Sequence, residues 1–175
     1  MGRMQQDSVD RTLAEWAENA PELDVSGRHV IWRLQVVAKY IHDAFSEMAS
    51  PDTRLSGSGI RMLLHLIGMP APHQASPTAL SERVLLTTPT MTSLIDRLEA
   101  FGYVERRPDP TDRRGILVQL TENGTRVALE LQDEYVALET RILAPLDTTQ
   151  RETLIELLRA LILAYESDGW RDSKA

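Results

Sequence analysis

The stretch LIDRLEAFGYVERRPDPTDRRGILVQLTENG, residues 94–124, changes its periodicity twice, and those changes decide the fold. Met91, Leu94, Ile95, Leu98 and Phe101 recur at helical spacing and predict the buried stripe of a helix over 89–101. Gly102 suits the C′ position that ends it. From Tyr103 the pattern shortens to that of a strand, Tyr103-Val104-Glu105-Arg106-Arg107, with a partner at Gly115-Ile116-Leu117-Val118-Gln119-Leu120. Between them lies a polar hairpin tip with two prolines, residues 108–114. Thr121 then suits the N-cap of a further helix carrying Val127, Leu131, Leu138 and Ile142.

Working outward, Ser76-Pro77 and Thr88-Pro89 begin alike, each placing a hydroxyl at an N-cap and a proline at the first helical position. They predict two short helices, 77–84 and 89–101, joined by a turn around Leu85-Leu86-Thr87. Two helices, a tight turn and a following β-ribbon make a winged helix-turn-helix. Before them, Ser56 opens a third helix with Ile60, Leu63, Leu64 and Ile67 on one face, and GMPAPHQASP, residues 68–77, is a loop by its Gly and Pro content.

Val9, Leu13, Trp16 and Ala20 predict a first helix ended by Pro21. Ser26 is placed to cap a long second one with apolar Val30, Leu34, Val37, Ile41, Ala44 and Met48, closed by Pro51. Val36, Tyr40 and Phe45 widen its stripe, so packing on more than one side is expected. Pro145 breaks the helix after the wing. Asp147 and Gln150 form a capping box for a last helix with Leu154, Leu158, Leu161 and Tyr165, fraying near Gly169. The fold class expected is mainly α with a small β-hairpin wing (α+β).

Across 175 residues, 42% apolar and 26% charged, the chain can bury a core. Nineteen basic and 26 acidic residues give a net charge of −7, which excludes a globally basic coat but not a local basic patch. Cysteine is absent, which excludes disulfides, thiolate catalysis and cysteine-ligated zinc. Residues 1–12 are polar, and the longest clean apolar run, Ala160 to Tyr165, is too short to span a bilayer. A soluble, cytoplasmic protein without membrane contact is expected.

The exposed faces carry the functional signal. The apolar stripe of helix 89–101 leaves Thr90, Ser93 and Arg97 outward, flanked by Thr92, Asp96 and Glu99. Short hydroxyls near a helix start allow close approach to base edges and phosphates. From Arg83 to Arg114 six arginines (83, 97, 106, 107, 113 and 114) face five acids (96, 99, 105, 109 and 112), a local +1 on an acidic chain. Arginine suits planar phosphate contacts and narrow minor grooves. Asp112, next to Arg113 and Arg114, is placed to orient an arginine by a local ion pair. The alternative is a solvated hairpin with incidental pairs.

At these residues the chain resembles the MarR (multiple-antibiotic-resistance regulator) family of winged-helix transcription factors. The matching pieces are the LIDRLE helix end, the G-Y-V-E-R-R start of the wing, the D-x-R element Asp112-Arg113-Arg114 and the L-T-x-x-G start of the next helix. The resemblance implies a homodimeric transcription factor, usually a repressor released from a pseudo-palindromic operator in double-stranded DNA by a small ligand. It implies that Arg114 enters the minor groove and the recognition helix the major groove, with Thr88, Thr90, Thr92, Ser93, Arg97, Asp112, Arg113 and Arg114 as the DNA-binding set. The division that follows is 1–50, N-terminal dimerisation helices; 55–121, winged domain; and 122–168, C-terminal dimerisation helices.

For a ligand, Arg61, His65 and Gly68 form a polar strip beside the core face of the third helix, and Trp16, Trp32 and Tyr40 offer aromatic surfaces. Together they would suit a small aromatic or anionic effector; alternatively the tryptophans are core anchors and Arg61 is exposed. The first helix, LAEWAENAPELD, resembles the urate-responsive branch of the family. That branch pairs its tryptophan with an acid on the third helix and an arginine in the recognition helix. Here Arg61 and Leu94 stand at those positions, so the extra dimerisation helix carries over and the urate ligands do not.

His29, His42, His65 and His73 lack tight ligand spacing for a metal, no cofactor is implied, and there is no phosphate loop, nucleophile elbow or paired acid motif. Ser58, between Gly57 and Gly59, reads as a helix start. An enzyme is not expected. A winged-helix protein-interaction module is the other reading, against which Arg113, Arg114 and the hydroxyl-rich face argue.

Overall fold

A computed structural model describes residues 6–48 and 54–167. Along the chain run α1 (Ser8–Asn19), α2 (Arg28–Glu47), α3 (Gly57–Ile67), β1 (Gln74–Ala75), α4 (Pro77–Val84), α5 (Thr88–Ala100), β2 (Val104–Pro108), β3 (Ile116–Leu120), α6 (Glu122–Leu143) and α7 (Thr148–Ser167). The chain divides into two compact units, with the boundary after Gln132 inside α6.

The first unit holds the helix-turn-helix and its wing. Its sheet is antiparallel in the order β1-β3-β2, with Arg106 opposite Val118 and Val104 opposite Leu120. The hairpin is as expected, but β1 is an addition. Within the segment read as loop, Gln74 and Ala75 pair with Gln119 and Val118, and the Leu120 amide donates to the His73 carbonyl at 3.2 Å. Two residues are too few to show a period, so only the tertiary contact reveals the strand.

Ile60, Met62, Leu63 and Leu66 of α3, Leu80 and Val84 of α4, Met91, Leu94, Ile95 and Leu98 of α5, and Val104, Val118 and Leu120 of the sheet form the core. The stripe expected on α5 is the buried one. On α3 the buried face is rotated: Met62 and Leu66 are inside, whereas Leu64 and Ile67 are only half-buried. That helix is apolar on nearly every side, so periodicity alone could not choose its face.

Local chemistry sets the boundaries. Ser76 Oγ accepts from the Ala79 amide at 3.2 Å, and Ser56 Oγ from the Gly59 amide at 3.2 Å. The N-cap of α5 is Thr87, one residue before the expected Thr88, and its hydroxyl bonds Thr90 Oγ1 at 2.9 Å instead of the backbone. The turn between α4 and α5 closes through Leu85 in the left-handed region, φ +58°. Gly102 has φ +72°, its amide donates to the Glu99 carbonyl, and Tyr103 donates to the Leu98 carbonyl. Those two bonds are a Schellman motif. Thr121 Oγ1 accepts from the Gly124 amide at 2.9 Å, capping α6 as expected.

Ser26 does not cap α2. Gly27 is the N-cap and supplies no side-chain bond, while the Ser26 amide is drawn to Asp24 Oδ1 at 2.9 Å. Packing on more than one side is met in part: α2 lies against both α1 and α3, but none of its residues is fully buried, and Val30, Ile31, Val37 and Tyr40 are exposed. The helix ends at Glu47, and Pro51 lies outside the described residues. The start of α1 is capped by Asp7 and Asp10, and Arg33 of α2 pairs with both, at 2.8 and 2.5 Å. The Asp10 amide holds the Asp7 carboxyl below the usual carboxylate range, with help from Arg33.

The second unit comprises the end of α6 and α7. Asp147 and Gln150 form the expected capping box, each amide bonded to the other's side chain at 2.9 Å. Arg151 donates to the carbonyls of Leu146 and Leu143 past the end of α6, the Leu143 carbonyl also accepting from the Leu146 amide at 3.0 Å. The α7 helix has no buried residue and exposes Ile155, Leu157, Leu161, Ile162 and Leu163. Gly169 lies outside the described residues. Among the described residues no helix is long and apolar enough to cross a membrane.

Candidate nucleic-acid interface

With Met91, Leu94, Ile95 and Leu98 turned into the core, α5 presents Thr88, Thr90, Thr92, Ser93, Asp96 and Arg97 to solvent. Thr92 donates to the Thr88 carbonyl at 3.1 Å and Ser93 to the Pro89 carbonyl at 3.2 Å. Each hydroxyl thus keeps acceptor lone pairs for an incoming donor. Arg97 differs from expectation: although exposed, its Nη2 donates to Ser56 Oγ at 2.8 Å, which holds the guanidinium against the cap of α3.

The wing tip is built from backbone turns. Asp109 Oδ1 accepts from the amide and hydroxyl of Thr111, at 2.8 and 2.7 Å, and the hydroxyl bond leads in holding the Asp109 carboxyl below its ordinary pKa. The Asp109 amide donates to the Gly115 carbonyl at 3.1 Å, and the Gly115 amide to the Asp112 carbonyl at 2.9 Å. A Cβ on Gly115 would stand 3.0 Å from Asp109 Cβ and 3.1 Å from Asp112 Cβ, so any larger residue requires the tip to give by a few tenths of an ångström.

Asp112 Oδ1 accepts from the Arg114 backbone amide at 2.9 Å, and no ion pair joins it to either neighbouring guanidinium. The expected side-chain ion pair is therefore corrected to an Asx turn, the local bond that short acids make two residues on. Among the described residues no hydrogen bond or ion pair engages the guanidinium groups of Arg113 and Arg114, and both residues are exposed.

The remaining wing arginines are spoken for. Arg107 pairs with Glu105 at 2.6 Å. Arg106 pairs with Asp96 at 2.5 Å and with Glu99, and the hydrogen bond to Asp96 leads in raising its pKa. The six arginines that look equivalent in the sequence thus differ: Arg106 and Arg107 are ion-paired, Arg97 is held by the Ser56 hydroxyl, Arg83 lies near His65, and Arg113 and Arg114 stand adjacent and unpaired at the tip.

Four of the ligand candidates fall into two groups. Trp16 and Trp32 both face the guanidinium of Arg28, at 4.0 and 5.4 Å from their ring centres, so their cationic partner is Arg28 and not Arg61. Arg28 was not singled out; its place four residues before Trp32 on α2 was the available signal. Arg61 and His65 lie with Arg83: burial, then the charges of Arg83 and Arg61, push the His65 pKa below its ordinary value. Arg61 Nε is buried without a hydrogen-bond partner, which contradicts the alternative of a freely exposed Arg61.

Residues 55–115 match the model of the MarR family. The chain is 31% identical over 150 residues to the HTH-type transcriptional regulator PecS of Dickeya dadantii, covering 86% of this chain and 90% of that protein. Among solved structures, the MarR family regulator AbsC of Streptomyces coelicolor superposes with a TM-score of 0.73 at 19% identity, covering 83% of this chain and 98% of that one. Sco3205 from the same organism, a MarR family regulator solved in complex with DNA, gives 0.70 at 23% identity, covering 85% and 92%. A recognition helix, a turn-locked arginine wing and this similarity over nearly the full length agree: the chain belongs to the MarR family of winged-helix transcriptional regulators.

Proposed function

We propose that this regulator is a cytoplasmic repressor and not an enzyme, that it binds a pseudo-palindromic operator as a homodimer, and that a small aromatic or anionic effector releases it. The observation that carries DNA binding is the exposed hydroxyl row of α5 beside the unpaired Arg113 and Arg114. Thr88, Thr90, Thr92 and Ser93 read bases in the major groove, and Arg114, with Arg113 beside it, enters the minor groove. Asp112 shapes the loop that presents them, and Arg97 serves from its seat on Ser56. Residues 55–121 are the DNA-binding part; residues 1–50 and 122–168 form the dimer. The exposed apolar faces of α2 and α7 support that assignment, and a two-fold dimer sets its recognition helices one DNA turn apart.

The effector reading rests on two cationic groups that lack ordinary partners. Arg28 lies between two indole faces, and Arg61 keeps a buried Nε unbonded beside His65. Either suits a planar anion. A mobility-shift series on the chain's own promoter fragment tests the function. Retardation should weaken steeply with salt, with a slope of about −0.9 per neutralised phosphate. No shift at low salt would favour a protein-interaction module.

A further inference from the structure

We infer that Arg106 is a positioning residue for DNA binding, locking the wing to the recognition helix so that the tip arginines meet the minor groove. This inference rests on the wing-tip reading above. Three bonds converge on this one residue. Its Nη2 meets Asp96 Oδ1 at 2.5 Å, its Nη1 meets Glu99 Oε2, and its own amide donates to Glu99 Oε1 at 3.1 Å. Glu99 therefore grips backbone and side chain of the same strand residue. Asp96 and Glu99 stand three apart on α5, facing one side, and Arg106 is the middle residue of β2. The contact adds a polar clamp to two elements that also meet in the core, through Val104, and at the Schellman turn at Gly102.

The fork of a guanidinium suits two carboxylates at fixed angles, which a flexible ammonium cannot match. Arg106 keeps 29% of its side chain exposed, Asp96 61% and Glu99 38%. Ion pairs this wet add little to stability. Orientation is another matter, because the tip lies beyond Pro108 and Ile116, and a small change of angle at Arg106 grows along the hairpin. Loss of placement is costly where binding needs two elements in two grooves at once.

A double-mutant cycle tests the inference. Wild type, Arg114→Ala, Arg106→Gln and the double variant are titrated by fluorescence anisotropy against a duplex from the chain's own promoter region. Arg114→Ala should cost about tenfold in the wild-type background. Arg106→Gln should cost about tenfold with a nearly unchanged melting temperature, and in that background Arg114→Ala should cost about twofold or less. Equal cost of Arg114→Ala in both backgrounds overturns the positioning role and leaves the wing reading standing. No cost in either overturns both.

A second variant keeps the test independent of Arg106 itself. Asp96→Ala with Glu99→Ala removes two negative charges near the DNA and frees Arg106. Simple charge then predicts tighter binding, whereas positioning predicts weaker binding, and tighter binding overturns it.

Discussion

Gly124→Ala sets two opposing effects against each other at the start of α6. In the helix-forming scale the substitution is favourable by up to about 1 kcal/mol. The structure opposes it: a Cβ at this position would lie 1.8 Å from the Tyr103 carbonyl oxygen and 2.8 Å from its carbon. Those are backbone atoms, so no side chain can swing aside. Reaching even the 3.0 Å floor of real Cβ contacts requires the helix start and the wing root to separate by about 1.2 Å.

Two bonds cross that gap, Thr121 N to the Tyr103 carbonyl at 3.1 Å and Thr121 Oγ1 to the Gly102 carbonyl at 2.7 Å. A retreat of that size breaks or strains both, at about 1 kcal/mol each, on top of about 1–3 kcal/mol of overpacking. After the helical gain is subtracted, a net loss of about 2–4 kcal/mol is expected. Urea denaturation followed by circular dichroism at fixed protein concentration reads it as a lower midpoint with an unchanged slope. A midpoint equal to or above that of wild type would refute the reasoning, since propensity would then have won and the carbonyl could not lie against the helix.

Three further outcomes follow from other parts of the molecule. Asp112→Asn keeps an acceptor for the Arg114 amide and should bind operator at least as tightly as wild type, while Asp112→Ala loses the turn and should bind more weakly; anisotropy giving both variants the same affinity would contradict the Asx role. His65 resists protonation when folded, so the unfolded chain takes up the proton first as pH falls through about 6.5. Stability should therefore drop below that pH, modestly because the ring is part-solvated, and His65→Gln should flatten the profile in melts at pH 5–8. Sedimentation should give a dimer, and Leu157→Glu with Leu161→Glu on α7 should shift it toward monomer; an unshifted dimer would place the interface elsewhere.

Signals confined to three or four neighbours were legible. The caps at Ser76, Thr121 and Asp147 and the glycine stop at Gly102 are local bonds that a few residue types make, so their positions could be read directly. The α5 stripe was legible because one face is apolar and the other is not. Some local bonds were misread, as at Asp24–Ser26 and Asp112–Arg114, where an acid takes a backbone amide instead of the partner expected; most of what stayed hidden depends on partners distant in sequence. The grip of Glu99 on Arg106 crosses a turn, and Arg97 reaches Ser56 across 41 residues. Nor could periodicity choose a face for α3, or show that β1 borrows its pairing from β3. The roles of Arg97 and Arg106 follow from those distant partners too, which is why counting charge located the patch but not its free end.

Because β3 is flanked by β1 on one side and β2 on the other only at its far end, the wing is a lever of graded stiffness. Near Val118 to Leu120 it is held by strands on both sides and by the His73 carbonyl; near Ile116 it is held by β2 alone. Amide exchange should slow progressively from tip to root. A blade anchored in this way can follow grooves of differing width at its end while its base keeps one bearing, so a single protein could tolerate operators that vary in shape beneath the wing more readily than operators that vary beneath α5.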